Sequence, residues 1–175
     1  MKGEKSTNIV FGRGVFKVDE LTLGLTRDGG TFSVEYNNRV INADGDRGTV
    51  KGRVVREEAT AKIEINHLEL LTGFDKLHSG LKVDTTTKEG YTVITGSGKI
   101  DDTKDYHTVS FEGETKDGRE FKVTIKNAIN LDNLSLEFKD KDDIVDKVTF
   151  TSTYDPEAED GFDENWEIEY KTTKS

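Results

Sequence analysis

Apolar and polar residues alternate with period two along most of this chain, the pattern of strands buried on one face. The longest such stretch runs from Gly30 to Asn66. Its first arm sets Phe32, Val34 and Tyr36 against Thr31, Ser33, Glu35 and Asn37, and its second sets Ala59, Ala61, Ile63 and Ile65 against Thr60, Lys62, Glu64 and Asn66. Between the arms, residues 43–48 (ADGDRG) bring together two glycines and two aspartates, the composition of a turn. The segment reads as a long hairpin. Opposed residues of an antiparallel pair share a face, so the apolar sets coincide only if paired numbers sum to an odd value, with Phe32 opposite Ile63 and Tyr36 opposite Ala59. From Asn37 to Glu58 the alternation loosens and Arg39, Lys51, Arg53 and Arg56 appear. This distal part, about 37–58, is expected to leave the core and to contact another copy of the chain.

Upstream, Ile9, Phe11, Val15, Phe16 and Val18 suggest a strand pair interrupted at Gly12-Arg13-Gly14, Leu21, Leu23 and Leu25 alternate, and residues 27–30 (RDGG) read as a turn. At Asn66 the period changes. Asn66 with Glu69 forms a capping box, Leu70, Leu71, Phe74 and Leu77 recur at helical spacing, and Ser79-Gly80 offers a stop, so one helix is expected over about 67–78. Strand patterns resume around Leu81–Val83, Tyr91–Ile100, His107–Phe111, Phe121–Ile125, Leu134–Phe138 and Val148–Ser152, with a hairpin turn at Lys116-Asp117-Gly118-Arg119. Trp166, Ile168 and Tyr170 alternate at the end, a last strand docked on this copy or on a neighbour. These patterns predict a mainly β fold: a β-sandwich or barrel of two packed antiparallel sheets, with one flanking helix and one long protruding hairpin. One domain spans residues 1–175, with a flexible lead-in at 1–7 and an acidic arm at 155–175.

Composition narrows the function classes. A net charge of −10 argues against a protein that grips nucleic-acid phosphates. The absence of cysteine excludes disulfides and thiolate chemistry. No apolar run approaches the roughly 20 residues of a membrane span, and the first residues, MKGEKSTN, lack a signal-peptide core, so a soluble chain with no membrane partner is expected. His67, His78 and His107 are the only histidines, and no nucleophile elbow accompanies them, so no catalytic residues are assigned. Asn42, Asp44 and Asp46 imitate the start of a calcium loop, but Arg47 stands where that loop needs glycine and Arg53 where it needs glutamate. The tip reads as an Asp-Gly turn, and no metal or cofactor is expected.

The run FGRGVFKVDELTLGLTRDGGTFSVEYNNRVINADGDRGTVKGRVVREEATAKIEINHLELLTGFDKL, with the later VTFTSTYDPE, resembles the tail tube (major tail) proteins of tailed bacteriophages and prophages. The similarity extends roughly from Phe11 to Pro156. It implies a structural virion protein, not an enzyme, that forms hexameric rings stacked into a hollow tail tube, assembled in the host cytoplasm. Its implied partners are copies of itself, tape measure and tail tip or baseplate proteins, and DNA that passes through the lumen without specific binding. A long, non-contractile tail fits the loop and strand motifs best. The alternatives are the tube of a contractile tail or type VI-like injection system, or a monomeric β-sandwich binding module. In the resemblance a long loop reaches between rings, which implies inter-subunit contacts for Asn42, Asp44, Gly45, Asp46, Arg47, Gly48 and Lys51.

Overall fold

The alternating segments become ladders. A computed structural model of the chain describes residues 8–154 and 165–173, and the expected lead-in (1–7) and the body of the acidic arm (155–164, 174–175) lie outside the described residues. The strands are β1 (Val10–Val18), β2 (Leu21–Leu23), β3 (Thr26–Val40), β4 (Val54–His67), β5 (Leu81–Asp84), β6 (Val93–Gly96), β7 (His107–Thr115), β8 (Glu120–Asn130), β9 (Asp146–Ser152) and β10 (Trp166–Tyr170). Strand accounts for 52% of the chain and helix for 3%, so the fold is mainly β.

Eight strands form one antiparallel sheet in the order β2-β1-β7-β8-β9-β4-β3, with β10 also paired to β8, and β5-β6 form a second, small sheet. The two layers expected from sequence are therefore one continuous sheet folded over itself, with β8 belonging to both. β7 pairs with β8 along most of its length, from Glu120 to Ala128, while the first half of β8 also pairs with β10 through residues 121–125 and its second half with β9 through Ala128, Ile129 and Asn130. Between the halves Asn127 adopts φ 50°, and the β7 register shifts there. A bulge of this kind bends a strand and lets it change sheets.

Between the layers, Phe16 and Val18 of β1, Val109 of β7 and Ile125 of β8 meet Ala61, Ile63 and Ile65 of β4 and Val148 and Phe150 of β9. Phe32 closes one side against Trp166, ring centroids 5.8 Å apart. The final strand thus docks on its own chain. Gly30 shows how tightly the layers meet, because a Cβ there would lie 2.3 Å from the Glu64 carbonyl oxygen and 2.7 Å from the Phe16 ring. Gly30→Ala is expected to destabilise the fold by about 1–3 kcal/mol through overpacking. Urea unfolding followed by the fluorescence of Trp166, the single tryptophan, measures this, and a loss within experimental error would show that β3 shifts away freely.

The hairpin keeps the expected register, Phe32 opposite Ile63 and Tyr36 opposite Ala59. The expected turn at 27–30 is instead a bulge inside β3. Thr26 pairs with His67 and Gly30 with Ile65, while Asp28 and Gly29 take positive φ and Arg27 swings out to bond Asp142 and Asp143 at 2.8 and 2.6 Å.

The helix is much shorter than 67–78. Only α1 (Phe74–Leu77) is helical, entered through Gly73 at φ 71° with no side-chain cap. Asn66 and His67 cannot start it because β4 holds them in its ladder with Lys147 and Asp146 of β9. Tertiary pairing overrides a local cap signal of this size. Leu134–Phe138, also expected as a strand, has no regular secondary structure and no ladder partner among the described residues.

Candidate functional site

Beyond Tyr36 the hairpin becomes a two-stranded ribbon. β9 pairs with β4 only over residues 62–67, and β3 has no neighbour on its outer side among the described residues. At the step from Asn37↔Glu58 to Asn38↔Arg56 one extra residue, Glu57, enters β4, and the pairing runs on through Arg39↔Val55 to Val40↔Val54. This bulge breaks the parity that put apolar residues on the core face, so the outer ribbon is aimed away from it. Tyr36, Val40, Ile41, Val54 and Val55 are all exposed there. Local contacts hold the ribbon in shape. Arg56 lies 3.7 Å from the centre of the Tyr36 ring, Arg39 pairs with Glu57, and the Ile41 amide donates to the Arg53 carbonyl at 2.8 Å.

The tip closes on itself. Asp46 Oδ2 accepts from the Ala43 amide at 2.7 Å and from Arg53 Nη1 at 2.8 Å, and the Asp46 amide returns to the Ala43 carbonyl at 3.1 Å. Gly45 takes φ 91°, a conformation that costs other residues more. The seven residues singled out in the sequence, Asn42, Asp44, Gly45, Asp46, Arg47, Gly48 and Lys51, therefore sit together on one exposed loop. Asp46 is committed within it, while Asp44, Arg47 and Lys51 face solvent. Residues 38–56 carry five cationic and two acidic side chains, a local charge of +3 in a chain of −10.

At another end of the fold lies a buried polar cluster that the sequence reading missed. All three histidines are buried. His78 Nε2 lies 2.8 and 3.0 Å from the two carboxylate oxygens of Asp146, tying the end of α1 to β9. His107 Nδ1 meets Asp19 Oδ2 at 2.7 Å, tying β7 to the β1–β2 turn. Burial pushes the Asp19 carboxyl up, but its bonds from His107 and the Thr108 amide outweigh that and hold it below the usual carboxylate range. His67 was legible in hindsight, for it lies two positions beyond Ile65 and a continuing strand puts it on the core face. Each pair bridges two elements, and among the described residues neither is hydrogen-bonded to a serine or threonine hydroxyl. Among the described residues no group of three or more His, Asp or Glu is arranged to hold a metal.

His67 makes this end sensitive to acid. Both of its ring nitrogens are buried without a hydrogen-bond partner. Burial lowers its pKa from the usual 6.5, against the opposing pull of Asp146 and Glu69. The unfolded chain therefore takes up a proton near pH 6.5 that the folded chain resists, so stability is full above that pH and declines as pH falls through it. The slope from this one group is at most about 1.4 kcal/mol per pH unit. Urea midpoints are expected to fall between about pH 7.5 and about pH 5.5, and His67→Phe to flatten that fall. An unchanged slope in the variant would assign the effect to other groups.

No protein-family model matches this chain, and no curated protein matches it in sequence.

Proposed function

We propose that this chain is a structural subunit that assembles with copies of itself into hexameric rings, stacked as the hollow tail tube of a long-tailed phage. The observation that carries this reading is the hairpin ribbon beyond Tyr36. An isolated two-stranded ribbon is marginal in water, and long open edges with exposed apolar residues are normally blunted in monomers. Here β3 and β4 extend past the core with Val40, Ile41, Val54 and Val55 exposed. A second copy that covers the ribbon resolves that instability. The resemblance of residues 11–156 to tail tube proteins supports the same assignment. So does the net charge of −10, because a lumen that passes DNA without holding it works best when it repels phosphate.

A carbohydrate-binding module would present a platform of exposed aromatics. Trp166 is instead packed against Phe32, which leaves Tyr170 as the exposed aromatic of β10. Sedimentation velocity across a concentration series tests the proposed function. The expected result is a ring-sized species and larger stacks that grow with concentration, whereas a single monomeric boundary throughout would overturn the reading.

A further inference from the structure

Residues 131–138 (LDNLSLEF) carry a strand pattern that finds no ladder partner among the described residues. Leu134, Leu136 and Phe138 alternate with Ser135 and Glu137, yet the main-chain groups of residues 133–139 make no hydrogen bond with any described residue. Leu131, Leu134 and Phe138 are 68%, 49% and 78% exposed. Buried or not, such a run of unpaired backbone with apolar side chains is a template for another strand. The hairpin ribbon offers its complement, because residues 54–60 of β4 pair, among the described residues, only with β3 and have no partner along their other edge. The two open stretches are seven residues each, roughly 24 Å at about 3.4 Å per residue.

Charge favours the same match. Residues 131–145 carry five acidic and two basic side chains, a local charge of −3. They border an open groove of about 750 Å³ that Asp28 and Glu64 also line, as do Lys147 and Arg27, the latter paired with Asp142 and Asp143, so that six acidic and three basic side chains surround it. The ribbon and tip at 38–56 carry +3. Attraction between unlike patches steers encounter and sets register, while like patches repel.

We infer that segment 133–139 of one copy is the receptor for the hairpin ribbon of another, adding as a strand along the open edge of β4 with the basic tip over the acidic groove. This rests on the assembly reading above, and it names the surface that the hairpin meets. The contact is heterologous, with hairpin on one copy and segment on the next, so it propagates around a ring or along a stack instead of closing a simple dimer.

The chain has no cysteine, so introduced thiols report without interference. Single variants Val55→Cys and Ser135→Cys are mixed under assembling conditions and treated with a short bis-maleimide, with Val55→Cys plus Lys116→Cys as the reference mixture. Circular dichroism confirms that each variant folds. The expected result is a cross-linked heterodimer in the 55/135 mixture at about tenfold or more the yield of the reference, because docking raises the effective concentration of the two thiols. Equal yields in an assembling sample would overturn this pairing and leave the tube reading standing. A sample that stays monomeric by sedimentation would overturn both.

Discussion

Phe150→Ala is expected to lower the unfolding free energy by about 3–5 kcal/mol, the range for truncating a fully buried aromatic. Phe150 lies on the strand between β4 and β8, paired with Ile63 on one side and Asn130 on the other. It is fully buried, and its ring stands perpendicular to that of His107, centroids 6.3 Å apart. Truncation opens a void between the layers at the point where the core residues of β4, β7 and β8 converge. The surrounding strands are locked in their ladders and collapse only partly, so the cavity cost adds to the lost transfer energy. Urea unfolding reported by Trp166 fluorescence gives the number. A loss below about 1 kcal/mol would mean that the layers repack without Phe150, contrary to the close fit seen at Gly30.

Replacing residues 43–48 by Asn-Gly is expected to leave stability nearly unchanged and to abolish assembly. Every described hydrogen bond of the tip is internal to residues 41–53, and no side chain from 41–53 belongs to the core. Ile41 and Arg53 keep a shorter loop between them, and Asn-Gly readily adopts the positive φ of a tight turn within it. The variant removes Asp44, Asp46 and Arg47 and releases Arg53 from Asp46, so the tip loses its shape while its local charge rises from +3 to +4. Surface changes of this kind usually alter stability by about 0.5 kcal/mol or less. Sedimentation should then find a folded monomer at concentrations where the parent chain is proposed to form rings. If the variant unfolds, the tip contributes to the monomer's core; if it assembles like the parent, the tip is not an interface.

How far the fold is legible varies from element to element, for physical reasons. The hairpin register follows from alternation alone, because one face of both arms is buried and a one-residue slip would expose the apolar set of one arm, Phe32 and Val34 or Ile63 and Ile65. The Asp117-Gly118 turn was equally local, and it closes as expected with the Gly118 amide bonding the Thr115 carbonyl at 2.9 Å. The helix was misjudged in extent because Asn66 and His67 carry a good cap signal, while β9, some eighty residues away, takes them as ladder partners. Residues 27–30 show the same ambiguity in another form, since Asp-Gly-Gly fits a turn and a bulge equally well. The merging of the two layers through β8 was beyond reach, for it depends on a left-handed Asn127 inside an otherwise regular strand. For the candidate site, the excursion of the hairpin was visible in its loosened pattern, but the engagement of Asp46 by Arg53 was not. The buried histidines were missed because nothing local marks His78 or His107 as the partner of Asp146 or Asp19.

The central claim is that the exposed hairpin belongs to a self-assembling tube. Electron microscopy of the concentrated purified chain tests it most directly. Long hollow tubes of stacked six-membered rings are the result the account predicts; isolated monomers under every condition, including in the presence of a tail-tip initiator, would contradict it.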